Sequence, residues 1–252
     1  MKSVIIIPAR YASTRLPKKL LLCETGKPLL QHTYESASKA TLPASITVAC
    51  DHEEIFNAVK QFGGSVRMTS PDAPSGTDRI AEVAAALDDV AIIVNLQGDE
   101  PEIAGTSIDL VIQLLHDYPD AVMSTLATPI RHREQLEDAA CVKVVFDAQH
   151  RALYFSRSVI PHPRGGIRQE HFLHSPPLFY QHIGLYAYRR EFLLQLSRLP
   201  QPELERVESL EQLRALHHGY AIMVGLVDEA AVGIDTPEDY RRFVERVHGA
   251  SG

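Results

Sequence analysis

Apolar runs of strand length alternate with helically spaced segments through the first 115 residues, and this alternation leaves the chain few possible folds. Residues 3–9, 46–50, 65–69 and 90–96 read as strands. Residues 28–40, 53–62, 77–87 and 105–115 place apolar side chains at the i, i+3, i+4 spacing of helices. A strand that follows a helix of this length most readily pairs parallel to its predecessor, with the helix as crossover. The crossovers are expected to be right-handed. The expected class is α/β, a mostly parallel sheet with helices on both faces.

The second half is less regular. Residues 122–127, 142–146, 152–155, 182–188 and 221–227 read as strands, and 191–199 and 207–217 as helices. Residues 161–177, rich in Pro, Gly, His and Arg, read as a long mobile loop. Residues 237–247 close the chain as a helix, with Thr236 at the N-cap, Pro237 in the first position, and Glu238 and Asp239 in the first turn. The expected organisation is a single domain over residues 1–252, with a smaller α+β part at about 128–220.

The formal net charge of −7 argues against nucleic-acid binding and against docking on an anionic membrane. Cys23, Cys50 and Cys141 are odd in number and widely spaced, which fits a reducing compartment and neither a zinc site nor a disulfide framework. The N-terminal apolar run is too short for a signal-peptide core, and no stretch approaches a membrane helix. The default expectation is a cytoplasmic, soluble protein with no nucleic-acid or membrane partner.

Ligands of open parallel sheets sit beyond the carboxyl ends of the strands. Residues 8–19, PARYASTRLPKK, concentrate Arg10, Arg15, Lys18 and Lys19 directly after the first expected strand. In an acidic chain this suits a polyanion, with Arg as a bidentate phosphate donor and Lys as a mobile charge. A solvated basic loop is the ordinary alternative. Neither G-x-G-x-x-G nor a Walker loop is present, so any phosphate is held more by side chains than by a glycine cradle. NLQGDEP (95–101) ends the most apolar expected strand in Asp99 and Glu100, which suits Mg²⁺ or an ordinary turn. Asp235 is either a second ligand or merely the residue before a helix cap. In SGTDR (75–79), Thr77 or Asp78 could cap a helix, or Gly76 backbone groups and Arg79 could read a base edge. His182, Gly184 and Tyr186 share one strand face by period-two alternation. That face could line a hydroxyl-rich, anionic sugar, or His182 could be a satisfied buried histidine and Tyr186 a core ring. Glu211 and Gln212 by default occupy a solvated helix face.

PARYASTRLPKK, NLQGDEP, SGTDRIAE, VKVVFD, ALYFSRSVIP, HIGLYAYR, LEQLRALHHG and GIDTPEDY together resemble the 3-deoxy-D-manno-octulosonate (KDO) cytidylyltransferases, or CMP-KDO synthetases, over nearly the whole chain. The resemblance implies a Rossmann-like nucleotidyltransferase sheet with a smaller sugar-binding and dimerisation subdomain. It implies that CTP and KDO give CMP-KDO and pyrophosphate for lipopolysaccharide assembly, with Mg²⁺ as cofactor and a homodimer as the assembly. Carried over by position, Pro8, Ala9, Arg10, Arg15, Lys19, Ser75, Gly76 and Arg79 would bind the nucleotide. Arg15, Lys19 and Asp99 would be catalytic, and Asp99 and Asp235 would bind the metal. Gln97, Arg157, His182, Tyr186, Glu211 and Gln212 would line the sugar site. Two positions depart from the family pattern. Lys18 stands where the family usually has Gly, placing a side chain where φ is free to be positive. His162 stands where the family usually has Trp, which bears on the choice between KDO and an amino-substituted sugar such as 8-amino-KDO.

Overall fold

The structure is a computed structural model and describes residues 1–13 and 15–249. Among these residues the order begins β1 (Ser3–Ala9), α1 (Leu29–Ala37), β2 (Ile46–Cys50), α2 (Glu53–Gln61), β3 (Val66–Met68), α3 (Gly76–Ala84), β4 (Ile92–Asn95) and α4 (Gly105–Asp117). It continues β5 (Met123–Pro129), α5 (Arg133–Glu137), β6 (Lys143–Phe146), β7 (Ala152–Ser156), β8 (Tyr180–Arg189) and α6 (Arg190–Leu196). It ends with α7 (Glu203–Glu208), α8 (Gln212–His217), β9 (Ile222–Leu226) and α9 (Pro237–Gly249). The chain divides into two compact units, Met1–Asp109 with Ala231–Gly252, and Leu110–Ala230.

In the first unit the strands run in the order β3-β2-β1-β4, all parallel, with Ile5 opposite Ile46 and Ser3 opposite Ile92. All seven residues of β1 are buried, as expected of a central parallel strand covered on both faces. Ile5, Ile6 and Ile7 have no exposed surface, and each such burial stabilises by roughly 1.5–3 kcal/mol. Helix α3 packs on β1, β2 and β4, and α2 on β2 and β3. Gly105 opens α4 against the end of the α1 segment. A Cβ there would stand 2.6 Å from the Lys39 carbonyl carbon and 2.7 Å from Ala40 N, so only glycine fits. The start of α9 is capped as the sequence predicts: Thr236 Oγ1 accepts from Asp239 N at 3.2 Å, and Asp239 Oδ2 accepts from Thr236 N at 2.9 Å.

In the second unit β5 pairs antiparallel with β8 and parallel with β9, and β6 pairs antiparallel with β7 and β8. The β5–β8 register shifts, with Thr125 opposite Tyr186 but Leu126 opposite Ile183. Gly184 and Leu185 are therefore extra in β8, a bulge that bends the strand. Two extra residues preserve the alternation, so His182 and Tyr186 remain together, their rings 5.5 Å apart.

Three expectations are corrected. Residues 207–217 are not one helix, because Ser209 adopts left-handed φ 53° and ends α7, and α8 restarts at Gln212. The apolar spacing continues through this break, which is why periodicity hides it. Helix α5 is absent from the sequence reading; at five residues it is too short to show a period. Residues 161–177 are not simply an open loop. A 3-10 turn at Gln169–Phe172 buries Phe172 with Ile130, Leu136, Cys141 and Phe179.

Candidate active site

The first unit builds its site from the ends of β1 and β4 and the segment before α9. β1 ends with Pro8 and the buried Ala9, and the chain then enters the basic loop. Lys18 takes φ 52° and ψ 30° and starts the 3-10 turn Lys19–Leu21, with Leu21 N donating to Lys18 O at 2.8 Å. This left-handed residue falls where the resemblance expects Gly, which would be free of the Cβ penalty that Lys18 carries. The turn sends the Lys19 side chain inward, only 11% exposed. Its ammonium lies 2.5 Å from Asp99 Oδ2 and 3.0 Å from Asp235 Oδ1. Arg15 Nη2 reaches the same Asp235 oxygen at 3.2 Å.

Backbone and helix contacts fix these carboxylates. Ile234 N donates to Asp99 O at 2.9 Å, tying the segment before α9 to the loop after β4. From α1, Thr33 Oγ1 donates to Gly98 O at 2.8 Å and Ser36 Oγ to Pro101 O at 2.7 Å. A Cβ on Gly98 would lie 3.3 Å from both Pro8 O and Leu20, tighter than ordinary contact. Beside the cluster lies a cavity of about 450 Å³, lined by Pro8, Arg10 and Lys19, by Ser75 and Gly76, and by Gln97, Gly98 and Asp99. Glu100 Oε2 is buried without a hydrogen-bond partner. Burial and then the neighbouring Asp99 push the Glu100 carboxyl up to about 8, so at neutral pH it adds little negative charge.

The Asp99 and Asp235 pair fits Mg²⁺, which takes one or two carboxylates and completes its shell with waters and phosphate oxygens. No group of three or more His, Cys, Asp or Glu among the described residues could hold a metal alone. Substrate and water would supply the remaining oxygens.

The opening of α3 differs from the sequence expectation. Ser75, not Thr77 or Asp78, is the N-cap: its Oγ accepts from Asp78 N at 3.0 Å and donates to the Asp78 carboxylate at 2.6 Å. Gly76 thus occupies the first turn, facing the cavity. The Arg79 guanidinium is buried and turned to internal partners: Thr69 Oγ1 at 2.5 Å, Ser70 O at 3.2 Å and Asp51 Oδ2 at 3.0 Å. Asp51 Oδ1 in turn accepts from Tyr11 N at 2.9 Å, so Arg79 reaches the basic loop through Asp51. Arg10 is exposed and donates to Ala73 O at 3.3 Å. The sequence reading missed Asp51. Its signal was a carboxylate one residue beyond the end of β2, where site residues of parallel sheets gather. It also missed Ala12, Ser13, Leu20 and Pro74, which complete the cavity lining and carry no motif of their own.

Gln97 lines the same cavity and donates to Asn95 Oδ1 at 3.3 Å. The other expected sugar residues lie in the second unit. His182 is 8% exposed; its Nε2 sits 2.9 Å from Thr125 Oγ1 and its ring meets Phe155 edge-on at 4.9 Å. Burial drives its pKa down to about 3, so it is neutral at physiological pH. Tyr186 flanks it. Arg157 donates through Nε to Glu208 O at 2.7 Å and through Nη1 to Ala139 O at 3.0 Å. Its own carbonyl is one of three acceptors around the buried Lys143 ammonium, with Asp138 O and Cys141 O, at 2.6–3.0 Å. Lys143 lies in the VKVVFD motif but was assigned no role from the sequence, and it organises this region from inside. Glu211 is the N-cap of α8, and Gln212 is 3% exposed with its Nε2 lacking a hydrogen-bond partner.

Known proteins match this chain closely. The family model described as "Cytidylyltransferase" matches residues 4–222. A Rhodopirellula baltica protein named 3-deoxy-manno-octulosonate cytidylyltransferase is 51% identical over 247 residues, covering 98% of this chain and 99% of its own. A protein of the same name from Geotalea uraniireducens is 47% identical over 250 residues, covering 98% and 99%. A solved CMP:2-keto-3-deoxy-manno-octonic acid synthetase complexed with CTP superposes with a TM-score of 0.91 at 40% identity, over 99% of this chain and 100% of its own. The chain is an α/β nucleotidyltransferase and belongs to the cytidylyltransferase family, among the 3-deoxy-manno-octulosonate cytidylyltransferases.

Proposed function

We propose that this enzyme transfers the cytidylyl group of CTP to the anomeric hydroxyl of KDO, releasing pyrophosphate and supplying activated sugar for lipopolysaccharide assembly. The observation that carries this reading is the convergence of Lys19 and Arg15 on Asp99 and Asp235 beside the cavity. Cations and oxygen ligands meet there, as nucleotidyl transfer requires.

Such a reaction asks the protein for in-line placement and charge neutralisation more than for covalent chemistry. Arg10, Arg15 and Lys19 offset the triphosphate, and Arg15 and Lys19 the charge growing on pyrophosphate. Asp99 and Asp235 would hold Mg²⁺, and the ion would supply Lewis-acid charge neutralisation to the reacting phosphate and hydroxyl. Pro8 and Ala9 shape the floor under the nucleotide. Ser75 and Gly76 present the first turn of α3 to it, and Arg79 fixes that wall through Asp51. Gln97 in the first unit is carried over as a candidate for the sugar acid, and Arg157, His182, Tyr186, Glu211 and Gln212 are the residues for it in the second unit. There the neutral His182 offers a hydrogen bond without charge, and the unpartnered Gln212 amide offers a donor for a sugar oxygen. The working form is a cytoplasmic homodimer; among the described residues no helix is long and apolar enough to cross a membrane.

The test is pyrophosphate release with CTP, Mg²⁺ and KDO, with 8-amino-KDO run in parallel. Release that depends on CTP and on one of these sugar acids is expected. Preference for another nucleotide, or turnover with neither sugar, refutes the reading.

A further inference from the structure

Lys18 lies next to the site but points away from it. Its Nζ is 3.1 Å and 3.4 Å from the two carboxylate oxygens of Glu54, in the first turn of α2, and 5.0 Å from the centroid of the Tyr11 ring. The Tyr11 hydroxyl donates to the other side of the same carboxylate, Glu54 Oε1, at 2.6 Å. The Tyr11 ring stacks on His52 with centroids 3.7 Å apart and planes 10° from parallel. Glu54 N donates to His52 Nδ1 at 3.1 Å, so the residue under the stack is itself fixed to the start of α2. The contact with Tyr11 first and the hydrogen bond to Glu54 second favour the charged ammonium.

We propose that Tyr11, Lys18 and Glu54 form a latch that clips the basic loop to the start of α2 and so holds Lys19 in position for the triphosphate. The link to Lys19 is the backbone. Lys18 in its left-handed conformation opens the turn Lys19–Leu21, so the two lysines are thrown to opposite sides, Lys18 onto Glu54 and Lys19 onto Asp99 and Asp235. A non-glycine side chain in that conformation is disfavoured unless neighbours hold it, and the carboxylate and ring are those neighbours. Lys18 is thus a positioning residue that acts through Lys19 and does not touch phosphate. This rests on the CTP reading of the site for its effect on affinity, but not for its effect on the turn.

The test uses the full-length protein carrying Lys18→Ala, Glu54→Gln and both together, with Lys18→Arg as the conservative variant. Without nucleotide, the latch predicts faster hydrogen exchange at the Leu21 amide, by about fivefold on the scale of an exposed charge pair, in both single variants and no further in the double. Lys18→Arg restores it. With nucleotide, CTP affinity weakens by a similar factor in the same variants while kcat at saturation stays near that of the wild type. Unchanged exchange at Leu21 overturns the latch whatever the protein binds. So does a Glu54→Gln variant that binds CTP as well or better while Lys18→Ala binds it worse, because that pattern makes Lys18 a phosphate contact. A parallel fall in kcat and melting temperature also overturns it, since that is general loss of structure. Absence of CTP binding by the wild type counts against the proposed function alone, and the exchange measurement still judges the latch.

Discussion

Replacing Asp51 by Ala isolates the buried charge that braces the candidate site. The Arg79 guanidinium is 1% exposed and its salt bridge to Asp51, itself 14% exposed, spans 3.0 Å. Arg79 Nε already lacks a hydrogen-bond partner, so the guanidinium has no spare acceptor to turn to once Asp51 is gone. Removing one partner of a buried pair costs about 3–5 kcal/mol, because the remaining charge stays desolvated. Arg79 keeps Thr69 Oγ1 and Ser70 O, which places the expected loss at the lower end, about 3 kcal/mol. The Tyr11 amide also loses its acceptor, but it is close enough to solvent to be rehydrated and adds little. At roughly 2–4 °C per kcal/mol for a chain of this size, the melting temperature should fall by about 6–12 °C. The double variant Asp51→Ala/Arg79→Met removes the stranded charge and should recover at least half of that loss. Urea unfolding followed by circular dichroism measures all three proteins. An Asp51→Ala variant within about 1 kcal/mol of the wild type, or a double variant less stable than the single, refutes the reasoning.

The other expected outcomes are independent of this pair. Asp99→Asn should cut turnover by at least ~10²-fold with a nearly unchanged melting temperature, and near-normal turnover at saturating Mg²⁺ would remove Asp99 from the site. His182 is neutral when folded, with its pKa down at about 3, whereas the unfolded side chain takes up a proton below about 6.5. Stability from this residue is therefore complete above about pH 6.5 and is lost as pH falls toward 3, amounting to about 2 kcal/mol by pH 5. The stability difference between wild type and His182→Asn, followed from pH 8 to 5, should show that slope. Gly105→Ala drives a methyl into the Lys39–Ala40 backbone and should cost about 1–3 kcal/mol in urea unfolding; a neutral effect would mean that α4 starts farther from that segment.

Much of the first unit was legible because its elements are long and its patterns unambiguous. β1 at Ser3–Ala9, buried along its whole length, and β2 at Ile46–Cys50, buried over its last three residues, coincide with the runs that predict them, since strands covered on both faces are mostly apolar. Thr236 and Asp239 cap α9 as read, because a cap is a local hydrogen-bond exchange among four residues. The N-cap of α3 was misread, for Ser75, Thr77 and Asp78 are all competent caps and only the path of the chain picks Ser75. The break at Ser209 was invisible for the opposite reason: nothing in serine itself announces a left-handed residue.

For the candidate site the division is sharper. The sequence by itself determined which side chains stand at the ends of β1 and β4 and before α9, because strand length and alternation set where each loop begins. It also determined that positive charge gathers there in a chain of net charge −7. Tertiary structure alone decided how each cation is used. Lys19 turns in to Asp99 and Asp235, Lys18 turns out to Glu54, and Arg79 is spent on Asp51. The physical reason is that a charge's partner is fixed by distances across the fold, between residues 80 or 216 positions apart for Lys19, and no local pattern encodes those distances.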